Sequence, residues 1–266
     1  MSYDPHEVVG IAIDAGHAIM AVYDSSEGIE VQNKDDDSPL TKADIAAHDA
    51  IIRGLQSIDP NTPIVSEEGR VGNPGEAETS WLVDPLDGTK EFIKRNGMFT
   101  VNIAHMRRHG DRWTPTFGVV HAPDAKTTWF GGETTPASLV TDASTTTISV
   151  NSRPKAPIQL VASGSHRAAR DERFAEQIGS HDLVRMGSSL KACAVADGTA
   201  DLYPRFGPTS CWDIAAAHAV VEAAGGFVLD PTGQRLDYDL VEDVLNPHFL
   251  VTCSTEWNEI WAQNLD

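Results

Sequence analysis

The chemistry of this chain concentrates in Trp81-Leu-Val-Asp84-Pro-Leu-Asp87-Gly-Thr89-Lys-Glu-Phe92, where an apolar strand runs into two carboxylates and a turn. Asp84 and Asp87 stand three residues apart with Pro85 between them, a geometry that can converge two carboxylates on a shared cation. A hard cation such as Mg²⁺ takes oxygen ligands, both carboxylates and the backbone carbonyls that a turn exposes. Gly88 and Thr89 then offer backbone N–H groups at the start of a short helix, where an anion is favoured. A plainer reading makes Asp87 the N-cap of that helix, in a type I turn after the proline.

Three more acidic signals stand at strand ends or helix starts, where ligand sites collect. Ser66-Glu67-Glu68-Gly69 puts two glutamates at a strand tip, a pattern that in isolation is a solvated turn. Ser210-Cys-Trp212-Asp213 opens the last long internal helix, with Asp213 as its natural N-cap, and Thr41-Lys-Ala-Asp44 opens the second helix with an acid in its first turn. One phosphatase design does not fit: an aspartyl-phosphate enzyme of the haloacid-dehalogenase type needs Asp-x-Asp, and this chain has Asp-x-x-Asp. A metal-held, activated water suits the spacing better.

The elements that must position these groups are legible from periodicity. Val8, Ala12, Ala15, Ile19 and Val22 recur at helical spacing between Pro5 and Tyr23, and Ala47, Ile51, Leu55 and Ile58 repeat the pattern. Short β-like runs follow at 63–66, 81–84, 99–104, 116–120 and 127–130, with hairpin-like spacing from Phe99 onward that predicts an antiparallel sheet. The run 141–147 reads equally as a strand or a polar loop. Residues 151–157, with two prolines, are the best linker. Beyond them strands at 158–162, 182–185, 227–229 and 249–252 alternate with helices at 167–178, 189–196 and 212–224, which favours an α/β layer. The expected fold is an α+β N-terminal half with an antiparallel sheet (1–152) and an α/β C-terminal half (153–266), packed as one unit, the first carrying most metal ligands and the second completing the site.

Composition narrows the function classes. The chain has 266 residues, with 20 Lys and Arg against 39 Asp and Glu, a formal net charge of −19. Such a surface repels phosphate backbones and anionic lipid, which argues against a nucleic-acid polymer or a polybasic membrane contact as partner. It admits a small anionic ligand if cations or metals wait in the site. Three widely separated cysteines and no CxxC pair support neither a disulfide framework nor a zinc ribbon. The first residues lack the features of a signal peptide, and no apolar stretch reaches the ~20 residues of a membrane span, so a soluble, cytoplasmic protein is expected.

Taken together, Glu67-Glu68, Asp84-Pro-Leu-Asp87-Gly-Thr89, and Trp212-Asp213 followed by Gly225-Gly226 resemble the inositol monophosphatase superfamily in content and order. The continuation Lys90-Glu91-Phe92 resembles its 3′(2′),5′-bisphosphate nucleotidase branch. The stretches 91–97, Gly187-Ser-Ser-Leu-Lys191 and Leu202-Tyr-Pro-Arg-Phe-Gly-Pro208 are similar to the bacterial CysQ type. The resemblance implies a layered αβαβα fold and a lithium-sensitive, Mg²⁺-dependent phosphatase of sulfur metabolism, with peripheral inner-membrane association as a further property of the branch. It implies that Glu67, Asp84 and the Leu86 carbonyl hold one Mg²⁺, that Asp84, Asp87 and Asp213 hold a second, and that Glu67 supports a third. Thr89, polarised by Asp44, orients and activates the attacking water, and adenosine 3′,5′-bisphosphate yields AMP and phosphate. Substrate contacts are expected from Leu86, Asp87, Gly88, Thr89, Ser165, His166, Ser189 and Asp213. Lys191 and Arg205 are the candidates for the second phosphate, since so acidic a protein needs local cations there. The alternatives are an inositol or fructose-1,6-bisphosphatase-like phosphatase with the same metals, and a catalytically idle relative.

Overall fold

Asp4 starts the first helix: its carboxylate accepts the His6 N–H at 2.9 Å, and Pro5 takes the first turn, where a missing N–H is tolerated. This helix, α1 (Pro5–Tyr23), buries Val8, Ala12, Ala15 and Ile19 along one stripe. The coordinates, a computed structural model, describe residues 3–25, 31–33, 39–163 and 169–264. A two-stranded antiparallel ribbon, β1 (Val31–Asn33) and β2 (Pro39–Thr41), leads into α2 (Lys42–Ile58), which packs on α1 through Ala47, Ile51 and Leu55.

The next strands are β3 (Ile64–Ser66), β4 (Gly69–Val71) and β5 (Thr79–Asp87); after α3 (Thr89–Ile93) come β6 (Thr100–His109), β7 (Arg112–Ala122), β8 (Thr127–Gly132), β9 (Thr135–Val140) and β10 (Thr145–Thr147). They form one sheet in the order β10-β9-β8-β7-β6-β5-β3-β4, antiparallel throughout except for the parallel β3–β5 pair. The hairpin rhythm of the sequence is therefore realised, and part of the ambiguous threonine run is an edge strand. Side chains alternate between the two faces, as the pleat requires. Trp81, Val83, Val101, Ile103, Phe117 and Val119 join the core with α1 and α2, whereas Leu82, Ala104 and Val120 join the core of the C-terminal half.

That half contains β11 (Ile158–Ser163), α4 (Ala169–Ile178), β12 (His181–Met186), α5 (Leu190–Ala196), β13 (Leu202–Arg205), α6 (Ala215–Ala223), β14 (Phe227–Leu229), β15 (Phe249–Thr252) and α7 (Asn258–Gln263). Its five-stranded sheet has the order β12-β11-β13-β15-β14; β11 is parallel to both its neighbours, and the β13–β15 and β14–β15 pairs are antiparallel. The connections through α4 and α5 step along this sheet in opposite directions, so right-handed crossovers put the two helices on opposite faces. α5 and α6 lie between the sheets, and α4 packs with α7 outside, giving five alternating layers. The closest approach is at Gly118 of β7, where a Cβ would stand 2.0 Å from the Ala216 carbonyl oxygen of α6. Only glycine lets that alanine-rich helix lie directly on the sheet. No helix among the described residues is long and apolar enough to cross a membrane.

Candidate active site

Two residues three apart on a regular strand face opposite sides of the sheet. At the end of β5 the rule is broken by a bulge: Asp84 pairs with Asn102 of β6, but Asp87 pairs with Thr100, so β5 carries one extra residue at Pro85-Leu86. Proline cannot donate to the ladder, which is why the irregularity falls there. The extra residue returns Asp87 to the side of Asp84. Asp213 comes in from the C-terminal half, and single oxygens of Asp84, Asp87 and Asp213 all lie within 4.8 Å of one another.

Each of these carboxylates is tethered through one oxygen. The Leu86 N–H donates to Asp84 Oδ1 at 3.1 Å, and the Ser210 N–H donates to Asp213 Oδ2 at 3.0 Å. Asp87 Oδ2 accepts from the Ser189 N–H at 2.7 Å and the Ser188 hydroxyl at 2.6 Å. Asp213 is not the N-cap of α6, as the sequence suggests. It ends a 3₁₀ turn, Cys211–Asp213, capped by Ser210, and α6 begins only after Ile214. The turn is held in place by the Cys211 N–H donating to the Val244 carbonyl at 2.7 Å and by Asn246, whose amide donates to the Ser210 carbonyl at 2.6 Å. Nor does Asp87 cap α3: Gly88 occupies that position at φ +91°, and a Cβ there would meet the Met98 carbonyl at 3.1 Å.

Glu67 follows β3, where its N–H donates to the Val83 carbonyl at 3.1 Å, and its carboxyl is hydrogen-bonded with that of Asp84. Burial, and next the charges of Glu67, Asp87 and Asp213, hold Asp84 well above the ordinary carboxylate range. Burial and the neighbouring Asp87 push Asp213 up to about 7, against the opposing Ser210 N–H. So much negative charge packed together calls for a cation, and a donor set made only of oxygen fits a hard divalent one.

Asp44 divides its work between its two oxygens. Oδ2 closes a capping box on α2, accepting the Thr41 N–H at 2.7 Å and hydroxyl at 2.6 Å. Oδ1 lies 3.3 Å from the Thr89 hydroxyl, which is also 3.3 Å from the Leu86 carbonyl oxygen. Helix cap and Thr89 partner are thus both true of this one residue.

Beside the cluster opens a cavity of about 480 Å³, lined in part by Asp87, Asp213, Ser189, Lys191, Tyr203 and Arg205. The Lys191 ammonium sits 5.5 Å from the centroid of the Tyr203 ring, and burial holds its pKa below the usual lysine value although the Asp87 charge opposes this. Arg205 donates through Nη2 to the Pro208 carbonyl at 2.9 Å, while its buried Nε–H has no hydrogen-bond partner among the described residues. Sequence reasoning missed Lys94 and Arg185 in the same wall, since nothing in their spacing marks them. It also missed Asn102 and Ser188. Ser165 and His166 lie outside the described residues.

His218 is packed structure: fully buried, with Nδ1 2.7 Å from the Tyr238 hydroxyl and Nε2 3.2 Å from Glu222.

A sequence model of the inositol monophosphatase family matches residues 4–263, and the chain belongs to that family. Membership carries a dependence on divalent metal, which the carboxylate cluster fits. Among curated relatives, the 3′(2′),5′-bisphosphate nucleotidase CysQ of Salmonella typhimurium is 45% identical over 252 residues, covering 92% of this chain and 98% of that protein. The CysQ nucleotidase of Escherichia coli K12 is 45% identical over 248 residues with the same coverage. Among solved structures, CysQ from Bacteroides thetaiotaomicron superimposes with a TM-score of 0.80 at 36% identity, covering 94% of this chain and 97% of that one. The inositol monophosphatase–fructose 1,6-bisphosphatase MJ0109 shares the fold, with a TM-score of 0.78 at 21% identity over 98% of each chain.

Proposed function

We propose that the chain is a Mg²⁺-dependent 3′(2′),5′-bisphosphate nucleotidase that hydrolyses adenosine 3′,5′-bisphosphate to AMP and phosphate. The observation that carries this reading is the convergence of Asp84, Asp87 and Asp213 within 4.8 Å beside a cavity lined by Lys191 and Arg205. The similarity to CysQ nucleotidases over nearly the whole chain supports the substrate class.

Glu67, Asp84 and the Leu86 carbonyl would hold one Mg²⁺; Asp84, Asp87 and Asp213 would hold a second, with Glu67 supporting a third. When bound, such ions neutralise phosphoryl oxygens and make water a better nucleophile. The rest falls to the chain. With its proton directed to Asp44 Oδ1, the Thr89 hydroxyl presents its lone pairs to the attacking water and fixes the direction of approach to the 3′-phosphorus. As the water attacks, its proton passes to the Thr89 oxygen and the Thr89 proton passes to Asp44 Oδ1, which becomes a neutral acid; the Thr41 bonds on Oδ2 keep that carboxyl from turning away. The backbone N–H groups of Gly88 and Thr89 face the scissile phosphate, with Ser189 at its margin. Lys191 and Arg205 meet the 5′-phosphate; a buried guanidinium donor without a partner among the described residues gains a charge-assisted acceptor when that phosphate arrives. Ser165 and His166 are assigned to the nucleoside.

The division of labour has residues 1–152 carrying most metal ligands and residues 153–266 completing the metal and substrate site. The test is phosphate release with Mg²⁺ from adenosine 3′,5′-bisphosphate, inositol 1-phosphate and fructose 1,6-bisphosphate. A clear preference for the nucleotide is expected; preference for either other substrate would move the chain to the rival phosphatases, and release from none would make it an idle relative.

A further inference from the structure

Asn102 is a polar side chain on an otherwise apolar stretch of β6, only 1% exposed, and it is the cross-strand partner of Asp84. Its amide nitrogen lies 3.0 Å from Ser189 Oγ, 3.4 Å from Asp87 Oδ2 and 3.4 Å from the Trp212 carbonyl oxygen. A carboxylate and a carbonyl can only accept, so the amide nitrogen must face them, and its oxygen faces the Thr100 hydroxyl at 2.9 Å. Those three acceptors come from the end of β5, from the start of α5 and from the turn that carries Asp213. Ser189 closes the circuit: its N–H holds Asp87 Oδ2 at 2.7 Å and its hydroxyl holds the Asp213 carbonyl at 2.5 Å.

We propose that Asn102 is a positioning residue for the carboxylate cluster, fixing the separation of Asp87 and Asp213 across the seam between the two sheets. This rests on the reading of the cluster as a divalent-metal site. Asp87 and Asp213 belong to different layers, and like charges drive them apart whenever no cation lies between them. Mg²⁺ demands near-ideal octahedral geometry at short distances, so a small drift of one carboxylate degrades the site. A neutral donor that touches the Asp87 carboxylate on one side of the seam and the Trp212 carbonyl on the other opposes that drift without adding a competing charge. Groups that orient metal ligands typically change metal affinity ~10–100-fold when removed. With two of the three contacts long, the lower end of that range is expected.

The test uses Mn²⁺ as probe, with bound metal counted by electron paramagnetic resonance on the purified full chain, beside activity assays at varied Mg²⁺. Asn102→Leu, near in size but without donors, should weaken Mn²⁺ binding about tenfold and raise half-maximal Mg²⁺ similarly. Its kcat should return close to wild type at saturating Mg²⁺, with KM for the nucleotide unchanged. Asn102→Ser, which retains a polar group too short to span the seam, should lose about as much and serves if the leucine variant does not fold. Met106→Ala, a cavity in the same strand, should lower the melting temperature and leave Mn²⁺ affinity alone. Wild-type Mn²⁺ affinity in either folded Asn102 variant, or an equal loss in Met106→Ala, overturns the proposal. Failure of the wild-type protein itself to bind Mn²⁺ instead overturns the metal reading beneath it.

Discussion

Thr89→Val separates chemistry from architecture, because valine keeps the shape of threonine and puts a methyl group where the hydroxyl stood. In the structure that hydroxyl has two acceptors, Asp44 Oδ1 and the Leu86 carbonyl, each at 3.3 Å. Both are long for an O–H···O contact, which favours about 2.7–2.8 Å, so little stability is at stake. A net loss near the low end of the usual range, about 0.5 kcal/mol, is expected. In a chain this long that lowers the melting temperature by only about 1–2 °C. The α2 cap is untouched, since Thr41 bonds the other oxygen of Asp44. If Thr89 passes the water's proton towards Asp44, however, the variant loses general-base assistance worth ~10²–10⁴-fold in kcat. That corresponds to about 3–5 kcal/mol of activation free energy, several times the stability change. The assay is steady-state phosphate release from adenosine 3′,5′-bisphosphate at saturating Mg²⁺, with a melting curve on the same preparation. A large fall in kcat with a near-normal KM and melting temperature is expected. A folded Thr89→Val enzyme with wild-type kcat would show that Thr89 only begins α3.

Lys191→Ala and Arg205→Ala should each raise KM for adenosine 3′,5′-bisphosphate roughly tenfold or more, since charged hydrogen bonds contribute ~1.5–3 kcal/mol, and should scarcely affect adenosine 3′-monophosphate; equal losses on both substrates would place these residues on the scissile phosphate or in the fold. The pH dependence of metal-free stability follows from Asp84 and Asp213, both of which sit above their unfolded values in the folded chain. Raised carboxyl pKa values favour folding at low pH, and that contribution disappears as pH rises through the folded value, about 7 for Asp213. The melting temperature without metal should therefore fall between about pH 4 and about pH 7, and the stabilisation by added Mg²⁺ should grow across the same window. A Mg²⁺ effect independent of pH would contradict this.

Most helices and strands were legible because their burial is periodic: α1 occupies the segment from Pro5 to Tyr23 that its apolar stripe marks. The elements β1, β2, β4, β9 and α7, each only three to six residues long, went unmarked, and so did β13. Its Leu202-Tyr-Pro-Arg205 run places a proline in an interior strand, and the structure tolerates it because β11 pairs with β13 only at Leu202, before Pro204. The acidic residues were legible as a group, but their joint geometry was not. Asp84 and Asp87 share a side of the sheet through a bulge, and Asp213 reaches them through a 3₁₀ turn rather than a helix cap. Asn102 carried one available signal, a lone amide in an apolar strand two residues after Thr100. Its three contacts join segments up to 110 residues apart, which no local pattern encodes.

The central claim is that Asp84, Asp87 and Asp213, with Glu67 beside them, form the metal centre of a phosphatase. Anomalous diffraction from crystals soaked in Mn²⁺ tests it most directly, with Asp84→Asn assayed in parallel. The expected result is anomalous density within about 2.0–2.4 Å of Asp84 and its carboxylate neighbours, together with a sharp loss of activity in the variant. Metal bound elsewhere in an active crystal form, or an Asp84→Asn enzyme with unchanged kcat and Mg²⁺ dependence, would contradict the account.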